Sequence, residues 1–303
     1  MTHTQIVVQI EQLTKTYKEM NVLDNISLQL EKGKIYGLIG MNGAGKTTLM
    51  KCMLQLSPPT SGTITLFNGR DALKRIGMMI EAPAFFLQMT AKQSLEYYRK
   101  LKGIPSKTRT DEVLALVELT HAANKKTKEF SLGMKQRLGI AIALLSKPEL
   151  LVLDEPINGL DPKGVVAIRQ LFKRLSTEHD MTILLSSHNL PELYQTATDY
   201  VFIHEGKLLK ELTLLELEQA CKQYIMIGCE NPAQAVTILE QHFQFTDYTI
   251  LPNGQLRLFE GTEQLADILT TLVQHGIRVT HFSLEGDTLE NYFLSLIGGE
   301  AHA

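Results

Sequence analysis

Cysteine is scarce in this 303-residue chain: only Cys52, Cys221 and Cys229 occur, with no metal-type spacing. That excludes a disulfide scaffold or a zinc cluster and predicts a reduced, cytosolic compartment. Long apolar runs are missing too. No stretch approaches the ~20 residues of a membrane span, and the N-terminus has no signal-peptide core, which predicts a soluble protein. Excess charge is also absent. Thirty basic against thirty-three acidic residues leave a net −3, so nothing points to a nucleic-acid partner. Apolar content of 44% and charged content of 21% are those of a globular protein with room for one large domain or two ordinary ones.

The charge is unevenly spread. Residues 1–210 hold 27 basic and 20 acidic residues, net +7, while residues 211–303 hold 3 and 13, net −10. So abrupt a shift predicts two domains, 1–210 and 211–303.

The densest chemistry lies at residues 35–49. An apolar run, Ile35 to Ile39, breaks at Gly40, passes through a glycine-rich turn and continues into a helix from about Lys46. Gly40, Gly45, Lys46 and Thr47 fit the G-x-x-x-x-G-K-[ST] phosphate loop in its strand–turn–helix setting. Between them, Asn42, Gly43 and Ala44 supply backbone N–H groups, as does Thr48 just after, and the new helix points its positive end at the same place. Lys46 is expected on the β- and γ-phosphates, and the Thr47 hydroxyl on Mg²⁺.

A second signal is Leu150-Leu151-Val152-Leu153-Asp154-Glu155, four apolar residues running straight into two acids. This is the pattern of a parallel strand buried on both faces with carboxylates at its carboxyl end, where open α/β sheets bind ligands. Asp154 is expected to support Mg²⁺ and Glu155 to polarise the attacking water. The buried run Met181–Leu185 ends at Ser186-Ser187-His188, which aims His188 at the same edge. Tyr17, a lone aromatic in a polar stretch, either stacks on a nucleobase or packs against a sheet. Ser131 is expected as the N-cap of a helix over Leu138–Leu145.

The remaining elements are coarser. Strands are expected at 5–10, 26–30, 63–67 and 76–80, with turns at Asn68-Gly69 and before Pro83. Residues 90–145 read as successive helices, one presenting Leu95, Tyr98 and Leu101 on a shared face. This predicts an inserted helical subdomain at about 84–147. A helix is expected over 163–178 and a hairpin at Tyr200–Leu209. From residue 224 the order reads β-α-β-β-α-β, a ferredoxin-like unit, with a terminal helix at 287–297.

Taken together, the motifs of residues 1–210 resemble the nucleotide-binding subunit of an ABC transporter. Gly40–Thr47 resembles its Walker A motif, Leu150–Glu155 its Walker B strand, Tyr17 its adenine-stacking aromatic, Asn158–Asp161 its D-loop and His188 its switch histidine. Phe130–Arg137 resembles its signature motif, with Ser131 and Gly133 kept while Leu132 and Met134 stand where glycine and glutamine are usual. Met41 stands for the usual loop proline. Glu81 takes the place of the Q-loop glutamine. That exchange, the Ser131-to-Gln136 run and the ending Leu289–Phe293 resemble ATPases of bacitracin- and lantibiotic-resistance exporters.

The resemblance implies an α/β P-loop NTPase fold carrying an inserted helical subdomain, with a small C-terminal α+β (ferredoxin-like) accessory or dimerisation domain. It implies Mg²⁺-dependent ATP hydrolysis with Glu155, His188 and Lys46 at the reaction, and Thr47, Asp154 and Glu81 at the metal or its waters. It also implies a head-to-tail pair of cassettes, a homodimer or a close relative, in which Ser131 and Gly133 of one subunit cover ATP on the other, and it counts Asp161 of the D-loop among the nucleotide-binding residues. A separate permease polypeptide would place the protein on the inner face of the membrane. ABC ATPases of DNA repair or translation would need long coiled coils or a second cassette, and the sequence has neither.

Overall fold

The computed structural model describes residues 5–67, 69, 71–81, 86–286 and 289–298. Asn68, the Pro83 turn, the start of the helical insertion at 84 and the first two residues of the 287–297 helix therefore lie outside the described residues. The chain forms two compact units, residues 1–214 and 215–303.

The first unit opens with two long antiparallel strands, β1 (Ile6–Tyr17) and β2 (Met20–Glu31). Strand β1 runs well past residue 10, through the polar stretch that carries Tyr17. Its exposed face is polar, so only its inward residues Val8, Ile10 and Leu13 signal a strand. Next come β3 (Ile35–Ile39), the helix α1 (Lys46–Met53) and β4 (Ser61–Leu66), which completes a three-stranded sheet in the order β2-β1-β4.

Strand β5 (Ile76–Met79) leads into the helical segment: α2 (Ala91–Leu101), α3 (Arg109–Leu116) and α4 (Leu132–Leu144). A capping box between Thr90 and Gln93 starts α2. The expected shared face of Leu95, Tyr98 and Leu101 is only partly buried. Leu95 is fully covered but Leu101, the last residue of the helix, is 68% exposed.

The chain then returns to the central sheet through β6 (Leu150–Leu153), α5 (Pro162–His179), β7 (Thr182–Ser187), a short helix α6 (Leu190–Tyr194) with no clear sequence signal, β8 (Asp199–His204) and β9 (Lys207–Thr213). The six strands lie in the order β5-β6-β7-β3-β8-β9, parallel except for the last pair. Every residue of β3, β6 and β7 is buried, which is why these strands show no alternation of apolar and polar residues. The register pairs Leu153 with Leu185 and Ile39 with Ser187. Gly40, Asp154 and His188 therefore leave the sheet at one edge.

In the second unit, α7 (Leu214–Ala220) precedes β10 (Tyr224–Cys229), α8 (Pro232–Phe243), β11 (Tyr248–Ile250), β12 (Gln255–Leu258), α9 (Leu265–Gln274), β13 (Val279–Glu285) and α10 (Leu289–Gly298). The sheet is antiparallel in the order β11-β12-β10-β13, the β-α-β-β-α-β arrangement. Its core joins Ile225, Ile227, Leu256 and Leu258 to Leu239, Ile268 and Leu272 of the two helices.

Candidate functional site

The loop between β3 and α1 wraps a cavity of about 250 Å³ lined by Val22, Met41, Asn42, Gly43, Ala44, Gly45, Lys46, Thr47, Thr48, Asp154 and Glu155. Two glycines make the wrap possible. Gly45, the N-cap of α1, has φ 106°, and a Cβ there would sit 2.8 Å from the Val22 carbonyl oxygen. A Cβ on Gly40 would sit 2.5 Å from the Ile203 carbonyl oxygen. The loop is thus pressed against β2 and the β8–β9 hairpin. Gly206 of that hairpin donates its N–H to the Ala44 carbonyl at 3.0 Å.

Lys46 is 5% exposed and folds back into the loop. Its Nζ donates to the carbonyls of Gly40 at 2.7 Å and Met41 at 3.2 Å, and lies 3.8 Å from Glu155 Oε1. Burial pushes the ammonium below its ordinary pKa, against the pull of Glu155 and Asp154. A buried cation held by two neutral carbonyls has donor capacity directed toward an anion.

Next to it, the Thr47 hydroxyl donates to Asp154 Oδ2 at 2.7 Å, and the Ser186 hydroxyl donates to Asp154 Oδ1 at 2.5 Å. Glu155 has φ 46°, a left-handed conformation that costs a non-glycine residue about 1–3 kcal/mol. It turns the carboxylate toward two partners. Asn158 Nδ2 donates to Oε2 at 2.9 Å, and His188 Nδ1 lies 3.2 Å from both oxygens. With the carboxylate ionised, the contact requires the tautomer that carries its hydrogen on Nδ1. The site therefore gathers Lys46, Thr47, Asp154, Glu155 and His188, all singled out from sequence, at one sheet edge with Asn158, which the sequence marked only as the start of the D-loop-like turn. Ser186 was visible there only as a strand end.

Other expected residues stand apart. Tyr17 is 46% exposed and outside the cavity lining. Its hydroxyl is 3.1 Å from Ser57 Oγ, and Lys15 Nζ stands 4.8 Å over its ring. Glu81, expected beside the metal residues Thr47 and Asp154, is instead held by Lys51 of α1 at 2.6 Å. That hydrogen bond draws the Glu81 carboxyl below and the Lys51 ammonium above their usual pKa values. The ammonium of Lys51, near the C-terminal end of α1, thus takes the carboxylate in place of the metal residues.

Ser131 caps α4 by accepting the Met134 N–H, and neither it nor Gly133 lines the cavity. The signature-like turn instead packs on the D-loop-like turn. A Cβ at Gly133 would meet Leu160 Cδ2 at 3.5 Å, and one at Gly159 would meet Leu132 Cδ2 at 2.9 Å. Asp161 is the N-cap of α5 but makes no capping hydrogen bond through its side chain.

The ABC transporter family pattern matches residues 23–158. Over 299 residues the chain is 41% identical to the bacitracin transport ATP-binding protein BcrA of Bacillus licheniformis, covering 97% of this chain and 98% of that protein. Over 209 residues it is 41% identical to the lantibiotic transport ATP-binding protein SrtF of Streptococcus pyogenes, covering 68% of this chain and 90% of that one. Among solved structures, an ATP-binding cassette caught as a dimer after hydrolysis with ADP and Pi bound aligns with TM-score 0.62 and 26% identity, over 68% of this chain and 98% of that chain.

Proposed function

The chain belongs to the ABC transporter family as an ATP-binding, ATP-hydrolysing subunit, and from that premise we propose that it powers export of a peptide antibiotic of the bacitracin or lantibiotic kind. The observation that carries the reading is the likeness to the bacitracin transport ATP-binding protein along nearly the whole chain, including the C-terminal unit that a bare cassette does not need.

In this reading ATP lies on the residue 41–48 loop, whose N–H groups face the phosphates at the positive end of α1. Lys46 gives up its carbonyl partners for the β- and γ-phosphates. The donor set suits Mg²⁺: Thr47 Oγ1 and Asp154 Oδ2 are hard oxygens 2.7 Å apart, close to the ~3 Å between neighbouring corners of an octahedron with 2.0–2.1 Å bonds. Thr47 would ligate the ion directly, and Asp154 would hold it or its waters. When bound, the ion neutralises charge on the phosphate oxygens. Glu155, aimed by Asn158 and His188, orients and deprotonates the attacking water.

Ser131, Gly133 and Asp161 are reserved for the nucleotide of a second subunit, which is why they stand outside this cavity. Tyr17 would stack on the adenine ring, giving up its Ser57 contact. No helix among the described residues is long and apolar enough to cross a membrane, so the permease in this reading is another polypeptide. The protein then works at the inner membrane face. Residues 211–303 serve as an accessory or dimerisation domain.

Two measurements test this. Purified chain should release phosphate from ATP in the presence of Mg²⁺, and Lys46→Ala should lose nucleotide binding. Expression with its co-purifying membrane protein should raise the inhibitory concentration of bacitracin or a lantibiotic in a sensitive bacterium, and Glu155→Gln should abolish the gain. ATPase activity with no change in sensitivity to either peptide class would leave the family standing and the substrate wrong.

A further inference from the structure

One buried hydroxyl touches both acids of the site. Ser186 lies near the end of β7, 1% exposed, beside the carboxyl end of β6. Its hydrogen goes to Asp154 Oδ1 at 2.5 Å, and its oxygen accepts the Glu155 backbone N–H at 2.8 Å. A serine hydroxyl has one hydrogen and two lone pairs, so it can make both bonds at once. We propose that Ser186 is the positioning residue of the hydrolytic site, a hydroxyl that sets the plane of the Asp154 carboxylate and the backbone of Glu155 together. The proposal rests on the ATPase reading above.

The geometry of each acid follows from this contact. Asp154 is pinned at both oxygens, Oδ1 by Ser186 and Oδ2 by Thr47, which leaves its carboxylate no rotation about the Cβ–Cγ bond without breaking a hydrogen bond. The Oδ2 atom therefore stays beside the Thr47 hydroxyl. Glu155 needs its left-handed φ of 46° to bring its carboxylate to Asn158 and His188. A bond from its own N–H fixes the preceding peptide plane in the orientation that conformation requires. Without the hydroxyl, the Glu155 N–H would be left unpaired in a covered place, and relaxing φ would swing the carboxylate away from the cavity.

Lateral placement makes the serine suitable. Strands β6 and β7 are parallel neighbours in register, Leu153 against Leu185, so the residue after Leu185 stands level with Asp154. A shorter side chain would not bridge the two strands.

Partners that orient metal-holding carboxylates typically matter by roughly 10–100-fold in metal affinity or activity when removed. The test compares Ser186→Ala, which loses both bonds, with Ser186→Thr, which keeps the hydroxyl. Three quantities are read: kcat and KM for ATP, the Mg²⁺ concentration that half-saturates binding of a fluorescent ATP analogue, and affinity for that analogue in EDTA. Ser186→Ala should lower kcat by roughly tenfold or more and raise the Mg²⁺ requirement by a similar factor. Its KM for ATP and its affinity in EDTA should stay within about twofold, since Lys46 and the loop N–H groups are untouched. Ser186→Thr should recover most of kcat.

A Ser186→Ala protein with unchanged kcat and unchanged Mg²⁺ requirement overturns the proposal. So does an equal loss of affinity with and without Mg²⁺, which marks general damage to the fold. If the wild-type chain itself releases no phosphate, the ATPase reading fails instead, which keeps the two failures distinct.

Discussion

Strands β5 and β6 are parallel neighbours, and each is followed closely by a glutamate in a left-handed conformation: Glu81 with φ 61°, Glu155 with φ 46°. Backbone and residue type are alike, yet the two carboxylates are differently placed. Glu155 is tied to Asn158 and His188 at the cavity, and its N–H is tied to Ser186. Among the described residues, Glu81 is held by Lys51 alone, on an open flank and 67% exposed. The sheet edge supplies the direction in which an acid leaves. Only a dense set of neighbours, drawn from β7, from the turn after β6 and from the loop after β3, turns that acid into a reactive group.

The sharpest way to break this contrast is Glu155→Gln. Hydrolysis should fall by roughly 10²-fold or more while ATP still binds, since glutamine keeps the shape but cannot take a proton. An ATP-bound dimer should accumulate and be visible by size-exclusion chromatography with ATP. Hydrolysis near the wild-type rate would erase the distinction between the two acids.

Loosening the aim of Glu155 should cost less. Asn158→Ala leaves the carboxylate with His188 and Lys46 as neighbours, and kcat should drop roughly tenfold with KM for ATP little changed. His188→Ala should act in the same direction. Because the two share one carboxylate, the double variant should lose less than the product of the single losses, measured as a double-mutant cycle.

The smallest effect belongs to the other strand. Glu81→Gln should leave ATP hydrolysis within about twofold, because an exposed ion pair contributes little and salt screens it. Lys51 holds the Glu81 carboxyl below its ordinary pKa of 4.5. The pair therefore adds stability above that pH and loses it as pH falls through the lowered value. Thermal melts of wild type and Glu81→Gln between neutral pH and pH 3 should converge on acidification, and in high salt should coincide throughout. A tenfold loss of hydrolysis in Glu81→Gln would return Glu81 to the reacting centre.

Much of the site was legible because its parts are local. The phosphate loop needs its residues within one turn, and the Ser131 cap needs only the N–H three residues on. Asp154 and Glu155 were legible from the apolar run before them. What escaped depends on lateral strand order. Ser186 reaches Asp154 because β7 lies beside β6, and Lys51 meets a carboxylate 30 residues away in Glu81; neither pairing leaves a mark in the sequence. Strand β1 was read as too short because its outward residues are polar along the stretch that reaches Tyr17. The spacing that puts Leu101 on one face with Leu95 does not show where neighbouring elements stop, and Leu101 is exposed.

The central strand β3 has a consequence for how the chain comes into being. Its neighbours are β7, with Ile35 against Ile183, and β8, with Tyr36 against Asp199. Both emerge from the ribosome some 150 residues after it, so throughout most of synthesis an all-apolar strand waits with both hydrogen-bonding edges bare. At ~5–20 residues per second that interval lasts on the order of ten seconds. The phosphate loop is among the first of the motifs to be made and among the last to be assembled. A chain stalled before residue 180 would present a sticky strand in place of a nucleotide site, a ready substrate for chaperones.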